Sequence, residues 1–501
     1  MKKIILLILD GFGIRENENG NVINMANIPN IKRIMSEYPK SELKASEEVV
    51  GLPKNEAGNC EVCHMTIGAG RTIEQPLSII NNKIKDKSFF ENDTLLDLMD
   101  YVNDNNSTLH MIGMISSSNV NSNIEHFYAS LALAKIRKVK NVVFHFITDG
   151  KESSQMEAEN LISSFEEKIN KLNLGIIGTI CGRYYAMDND NNYDRVKKAY
   201  DAMVYNIGNS FTDYSRCLKL HYKNNITDEF INPSILVKGS NIKEKDGILF
   251  LNYRSESMKE LISAFTMTDF NMFNIKKFND IKCATLYSVS EDIDSAYTNE
   301  TISNTFGKYL ADLEFKQARI AESEKYQCVT YYFDGAEEIT DKNLYKILVP
   351  SAKVPRYDMK PEMSASEVTE SLLNAMEEDF DFILVNYANP DSLAHSGNIP
   401  ACIRGLESLD ICIGHVLEKA NENFYDVVIT SDHGNVEYMK DTDGNVVISH
   451  TTNNVPFVIC NSKYKLKKEG TICDIIPTII DMYEISKPKD MTGESLIIKE
   501  S

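Results

Sequence analysis

The feature that most constrains this chain is a series of short apolar runs, rich in β-branched residues, that end in Asp, Asn or Gly. They are IILLILD at the start, VVFHFITDG at 142–150, GIIGTICG at 175–182, FILVNYANPD at 382–391 and VVITSDHGN at 427–435. Amphipathic helical patterns separate them, and that alternation predicts parallel sheets crossed by helices, an α/β fold. Ligands of open α/β sheets lie beyond the carboxyl ends of the strands, so the chemistry is expected where these runs close.

A length of 501 residues makes two domains the natural division. Hydrophobic residues at 43% and charged residues at 25% are ordinary for a globular enzyme. The formal charge of −20 repels phosphate polymers and argues against a nucleic-acid or anionic-membrane partner. A small anionic substrate remains compatible if a few basic residues converge. The first residues pair two lysines with an apolar run, but that run is only Ile4 to Leu9 and stops at Asp10 with no small-residue cleavage site after it. It reads as a buried strand, and no run approaches transmembrane length.

The ten cysteines are scattered without framework spacing, which suits reduced thiols and a cytoplasmic location. CEVCH at 60–64 matches the C-x-x-C-H pattern of haem attachment. That attachment happens outside the cytoplasm and no export signal is present, so no haem is expected. Candidate boundaries lie in the polar stretches 81–94 and 290–303, and the tail from 487 reads as a loop followed by a short terminal element.

Metal-type ligands gather at the strand ends. Asp10 closes the first run, Asp391 and His395 stand four apart in NPDSLAH, Asp432 and His433 are adjacent in SDHGN, and His450 follows in SHTTN. Mixed imidazole and carboxylate donors suit divalent ions such as Mn or Zn. Any one of them alone fits equally a capping Asp or a surface His. Cys60 precedes an apolar helical stretch, and the positive end of a helix favours thiolate, which is both nucleophile and metal ligand. Cys63, one helical turn on, is expected to pack. Lys151 in TDGKE, Arg183 in CGRYY, Arg254 in NYRSE and Lys325 in ESEKY follow strand-like runs. They form either a converging anion site or separate structural cations.

Taken together, LDGFG, LPKNEAGNCEVCHMTIGAGR, GRYYAMDNDNNYDRV, AESEKYQCVTYYF, PSAKVPRYDMKPEMSA, NYANPDSLAH, SDHGN, SHTTNNVPF and DIIPT resemble the cofactor-independent phosphoglycerate mutases of the alkaline phosphatase superfamily. The likeness runs nearly end to end. It implies an alkaline-phosphatase-like parallel-sheet domain, residues 1–75 and 301–501, with a second α/β domain, residues 76–300, inserted to carry substrate. It also implies two divalent ions, one held by Asp391, His395 and His450 and the other by Asp10, Cys60, Asp432 and His433. Cys60 stands where the family has its phosphoryl-accepting Ser. Lys325 would neutralise the transferring group, Lys151, Arg183 and Arg254 would hold substrate, and Glu152 would act as base. A monomer is expected.

The chain departs from the family pattern where substrate is handled. Asn121 replaces a substrate-contacting His, Asn189 and Asn192 replace arginines, Ser257 replaces a second Arg, and Lys151-Glu152 stand for Arg-Asp. Losing a guanidinium contact to a phosphate costs a few kcal/mol, roughly a hundredfold in affinity. The expected function is therefore two-metal phosphoryl transfer through Cys60 on a small phosphorylated or phosphonate carboxylate that can differ from phosphoglycerate. A glycolytic mutase and an inactive binding paralogue are the alternatives, and the retained Asp and His ligands argue against the last.

Overall fold

The computed structural model describes residues 2–290, 292–298 and 301–499. The chain divides into two compact units, residues 1–75 with 301–501, and residues 76–300. The division between 75 and 76 falls ahead of the polar stretch 81–94. That stretch lies inside the second unit, in the Pro76–Lys85 helix, the Ser88–Glu91 3-10 turn and the start of the Asp93–Asp104 helix. Its Lys and Asn residues are the solvent side of helices that bury Leu77, Ile80 and Phe89. The other stretch, 290–303, contains the strand Asp294–Tyr297, while Glu291, Asn299 and Glu300 lie outside the described residues.

The first unit is built on an eight-stranded sheet. From edge to edge its strands are Leu344–Val349, Gln317–Glu322, Phe382–Tyr387, Lys3–Leu9, Tyr425–Thr430, Val455–Ile459, Lys40–Lys44 and Glu469–Thr471. All neighbours are parallel except that Val455–Ile459 runs against both of its partners. The central strands are buried on both faces, which is why they read as unbroken apolar runs. One face packs on a core including Leu372, Leu406 and Ile413, the other on a core including Ile67, Phe306 and Ile476. Asp10, the Asn389–Ala394 helix and Ser431-Asp432-His433 all follow the carboxyl ends of adjacent central strands.

The second unit has its own eight-stranded sheet in the order Asp294–Tyr297, Lys282–Tyr287, Gly247–Phe250, Thr108–Ile115, Asn141–Thr148, Ile176–Gly182, Ser234–Ile235 and Asn209–Ser210. Among the described residues, only Ile176–Gly182 against Ser234–Ile235 is antiparallel. Asp149, Lys151, Glu152 and Arg183 follow the ends of two neighbouring strands. No helix among the described residues is long and apolar enough to cross a membrane.

Candidate metal centre

The Cys60–Ala69 helix begins with a side-chain cap, Asn59 Oδ1 accepting from Val62 N at 3.1 Å, and this fixes Cys60 as the first helical residue. Gly11, φ +73°, turns the chain after the first strand where an added Cβ would lie 2.8 Å from Asp391 Cβ, so Asp10 and Asp391 approach closely. Cys60 Sγ lies 3.4 Å from Asp10 Oδ1 and 3.3 Å from His433 Nε2. His433 Nε2 is also 3.4 Å from Asp432 Oδ2. Asp391 Oδ1 is 3.2 Å from both His395 Nε2 and His450 Nε2. Thus Asp10, Cys60, Asp391, His395, Asp432, His433 and His450 come together, on the edge of a cavity of about 780 Å³ that Cys60, Lys325, Asp391, His395 and His450 line.

Lys325, from the turn after the Gln317–Glu322 strand, sits among three acidic groups. Its Nζ lies 2.9 Å from Asp10 Oδ1, 2.7 Å from Cys60 Sγ and 2.6 Å from Asp391 Oδ2. Burial alone would lower the lysine pKa, but Asp10, Asp391 and Cys60 hold it well above its ordinary value. Burial alone would raise Asp391, yet Lys325, His395 and His450 hold its carboxyl well below the usual range. Cys60 departs from the sequence expectation. Its hydrogen bond with Cys328, then burial and Asp10, push its thiol well above the ordinary value, outweighing Lys325. The helix N-terminus does not by itself make a thiolate in a buried, carboxylate-rich setting.

Do these residues fit divalent ions? His395 Nδ1 donates to Ile448 O at 2.8 Å and His450 Nδ1 to Gly58 O at 2.8 Å. With both rings neutral, each turns an Nε2 lone pair towards Asp391 Oδ1. A single proton on one ring can satisfy only one of these contacts, whereas a divalent ion satisfies all three donors. Asp432 Oδ2 is buried with no hydrogen-bond partner, a further acceptor that a cation would meet. The donor set fits.

Several residues of the centre were not singled out from the sequence. Asn435 Nδ2 donates to Asp391 Oδ1 at 2.8 Å and Asn386 Nδ2 to Asp10 Oδ2 at 2.7 Å, orienting both carboxylates. His64 Nδ1 donates to Cys60 O at 2.8 Å and lies 3.4 Å from Asp432 Oδ2. Glu437 is wholly buried and accepts from Gly13 N, Asn435 N, Thr451 and Asn453, tying the loops beneath His433 and His450. The signal for Asn435 was its place in SDHGN, and for His64 its place in CEVCH. Cys63 packs, its Sγ 3.7 Å from Ala45 O.

Lys151, Glu152, Arg183 and Arg254 are not in this cluster. They line a cavity of about 300 Å³ in the second unit, with Asn121, Asn189, Arg195 and Ser257. Arg183 Nη1 donates to Asp149 Oδ1 at 2.7 Å and also pairs with Glu152. Asn121 Nδ2 donates to Glu152 Oε2 at 2.7 Å. Arg195, which the sequence reading passed over, adds a guanidinium held by Asp188.

A fold of this kind with such a donor set defines a metal-dependent enzyme, and residues 2–487 match the metalloenzyme superfamily. The chain belongs, more particularly, to the 2,3-bisphosphoglycerate-independent phosphoglycerate mutase family. It is 40% identical over 506 residues to a protein of that name from Clostridium kluyveri, covering 99% of each chain. It is 37% identical over 507 residues to one from Moorella thermoacetica, again covering 99% of each. Among solved structures, a Leishmania mexicana phosphoglycerate mutase crystallised at low cobalt concentration superposes with a TM-score of 0.73 at 24% identity, over 100% of this chain and 98% of that one.

Proposed function

We propose that the chain moves a phosphoryl group between two oxygens of a small phosphorylated carboxylate, with Cys60 accepting the group in transit. The observation that carries this reading is the convergence of two imidazole lone pairs and the Asp391 carboxylate beside a second set of donors that includes a nucleophilic sulfur. Asp391, His395 and His450 would hold one divalent ion and Asp10, Cys60, Asp432 and His433 the other. When bound, such ions supply positive charge to the attacking and leaving atoms of an in-line displacement. Lys325, already within reach of Cys60, adds a fixed positive charge where the phosphoryl group passes. Lys151, Arg183 and Arg254 contribute anion contacts, and Glu152 takes and returns the proton of the reacting hydroxyl.

The names of the relatives make 3-phosphoglycerate the first substrate to test. A second reading, a phosphonate or another small phosphorylated acid, is favoured by the second unit's cavity, where Asn121, Asn189 and Ser257 bring no cation. The test is a coupled assay of Mn-loaded and Zn-loaded protein converting 3-phosphoglycerate to 2-phosphoglycerate, beside a metal-stripped control. Metal-dependent turnover supports the mutase. Its absence, with metal-dependent transfer from another phosphorylated acid, supports the second reading, and no transfer from any donor overturns both.

A further inference from the structure

The second unit holds another cavity, of about 290 Å³, that shares no lining residue with the one around Lys151 and Arg183. It lies at the amino ends of parallel strands. Thr108, Asn141 and Ile176, each the first residue of its strand, line it together with residues of the loop 237–243. The strands Asn141–Thr148 and Ile176–Gly182 start here and lead to Asp149 and Arg183, roughly 20–25 Å away at about 3.3 Å per residue. The two cavities are therefore separate sites at opposite ends of one sheet.

The charged lining of this cavity has one sign. Lys140, Lys238 and Lys243 line it and no Asp or Glu does, in a chain whose formal charge is −20. The cavity of Lys151, by contrast, mixes its cations with Glu152, Asp188, Asp190, Glu229 and Glu256. Among the described residues none of the three lysines is in an ion pair. Lys140 Nζ donates to Asn106 Oδ1 at 2.8 Å and Lys243 Nζ to Gly239 O at 3.2 Å, both neutral acceptors, and the Lys238 ammonium has no partner. Asp246, which pairs with His110 without lining the cavity, already accepts from Thr108 N at 2.9 Å and Lys243 N at 2.7 Å. Ammonium groups gathered without a carboxylate repel one another, and a multiply charged anion among them relieves that repulsion. Gly239, at φ +84°, has open space where a Cβ would stand, so the loop leaves its backbone clear for approach.

We propose that this cavity is a second anion site, for a small phosphate-bearing molecule, in which Lys140, Lys238 and Lys243 supply the charge and Asn141, Ser240 and Asn241 the neutral polar contacts. A volume at the lower end of the range for ligand pockets, about 300–1,000 Å³, limits the occupant to a small molecule such as free phosphate or a phosphorylated acid of a few carbons. Lysine ammonium groups bind phosphate as point charges and set little geometry, so the site selects by charge and size.

Lysine acetylation of the full, metal-loaded chain, read residue by residue by mass spectrometry, tests this with inorganic phosphate and 3-phosphoglycerate as probes. With the site about 90% occupied, Lys140, Lys238 and Lys243 are each expected to react about tenfold more slowly, because only the empty site reacts. Lys54, exposed in the first unit, reports any general effect of ionic strength. Lys238→Glu, a change at an exposed position, is expected to return Lys140 and Lys243 to their rates without probe. Rates unchanged by both probes overturn the proposal. So does slowing that Lys54 shares, or protection of Lys140 and Lys243 that survives in Lys238→Glu.

Discussion

His395 Nε2 and His450 Nε2 face one another at 3.0 Å, each ring having spent its other nitrogen on a backbone carbonyl. Two lone pairs are held together in this way by the fold, with Asp391 as the third donor. Replacing either histidine with Ala is expected to weaken binding of one ion by at least about 10–100-fold while the other ion still binds. Calorimetric titration with metal, read as two classes of site in the parent and one in the variant, checks this. Retention of both classes would contradict it.

Lys325 is a cation positioned by the turn after a central strand, and its removal should affect rate more than assembly. Lys325→Ala is predicted to lower turnover by about 10²–10³-fold. Metal content by elemental analysis is expected to stay at the parent's level, and loss of metal together with rate would assign the lysine a structural part instead.

Glu437 is a buried carboxylate accepting from two backbone N–H groups and two side chains. Glu437→Ala leaves four donors without a partner, and a loss of about 2–4 kcal/mol in the stability of the first unit follows. Denaturant unfolding measures it. A change below the resolution of that experiment would mean the loops are held by other contacts.

The first unit's strands and the Asp and His residues of its candidate metal centre are legible because strands buried on both faces leave unbroken apolar runs, and the residues that close them stand out by contrast. Val455–Ile459 was read only as part of a motif, since VPFVI is short and contains Pro456. Asn386 was hidden inside an apolar run, where nothing in the spacing marks an amide turned towards Asp10. In the second unit, the buried chain Asp246–His110–His145–Thr179 joins residues from four separate segments. No local pattern reports such pairing, because strand order decides it. The setting of the Cys60 thiol is hidden for a related reason. The helix terminus is visible in the sequence, but the surrounding Asp10 and Cys328 are not.

Asp149 gives the second unit an acid-sensitive contact. Burial opposes its charge, but Ser116, Arg183 and the Glu152 N–H hold its carboxyl below the usual range. A depressed folded pKa means that the unfolded chain takes up the proton first. The stabilisation is therefore complete above about pH 4 and is lost as pH falls through the folded value. Asp149→Asn is expected to flatten this acid limb, measured as denaturant midpoint against pH. A limb as steep as the parent's would contradict the assignment.

Cys60 is the group proposed to carry phosphoryl in transit. The most direct measurement is rapid alkaline quench of metal-loaded protein during turnover, followed by mass spectrometry of the peptide containing residues 60–71. A metal-dependent phosphoryl adduct on Cys60, absent from Cys60→Ala along with turnover, is the predicted result. Turnover that persists in Cys60→Ala with no adduct in the parent would contradict the account.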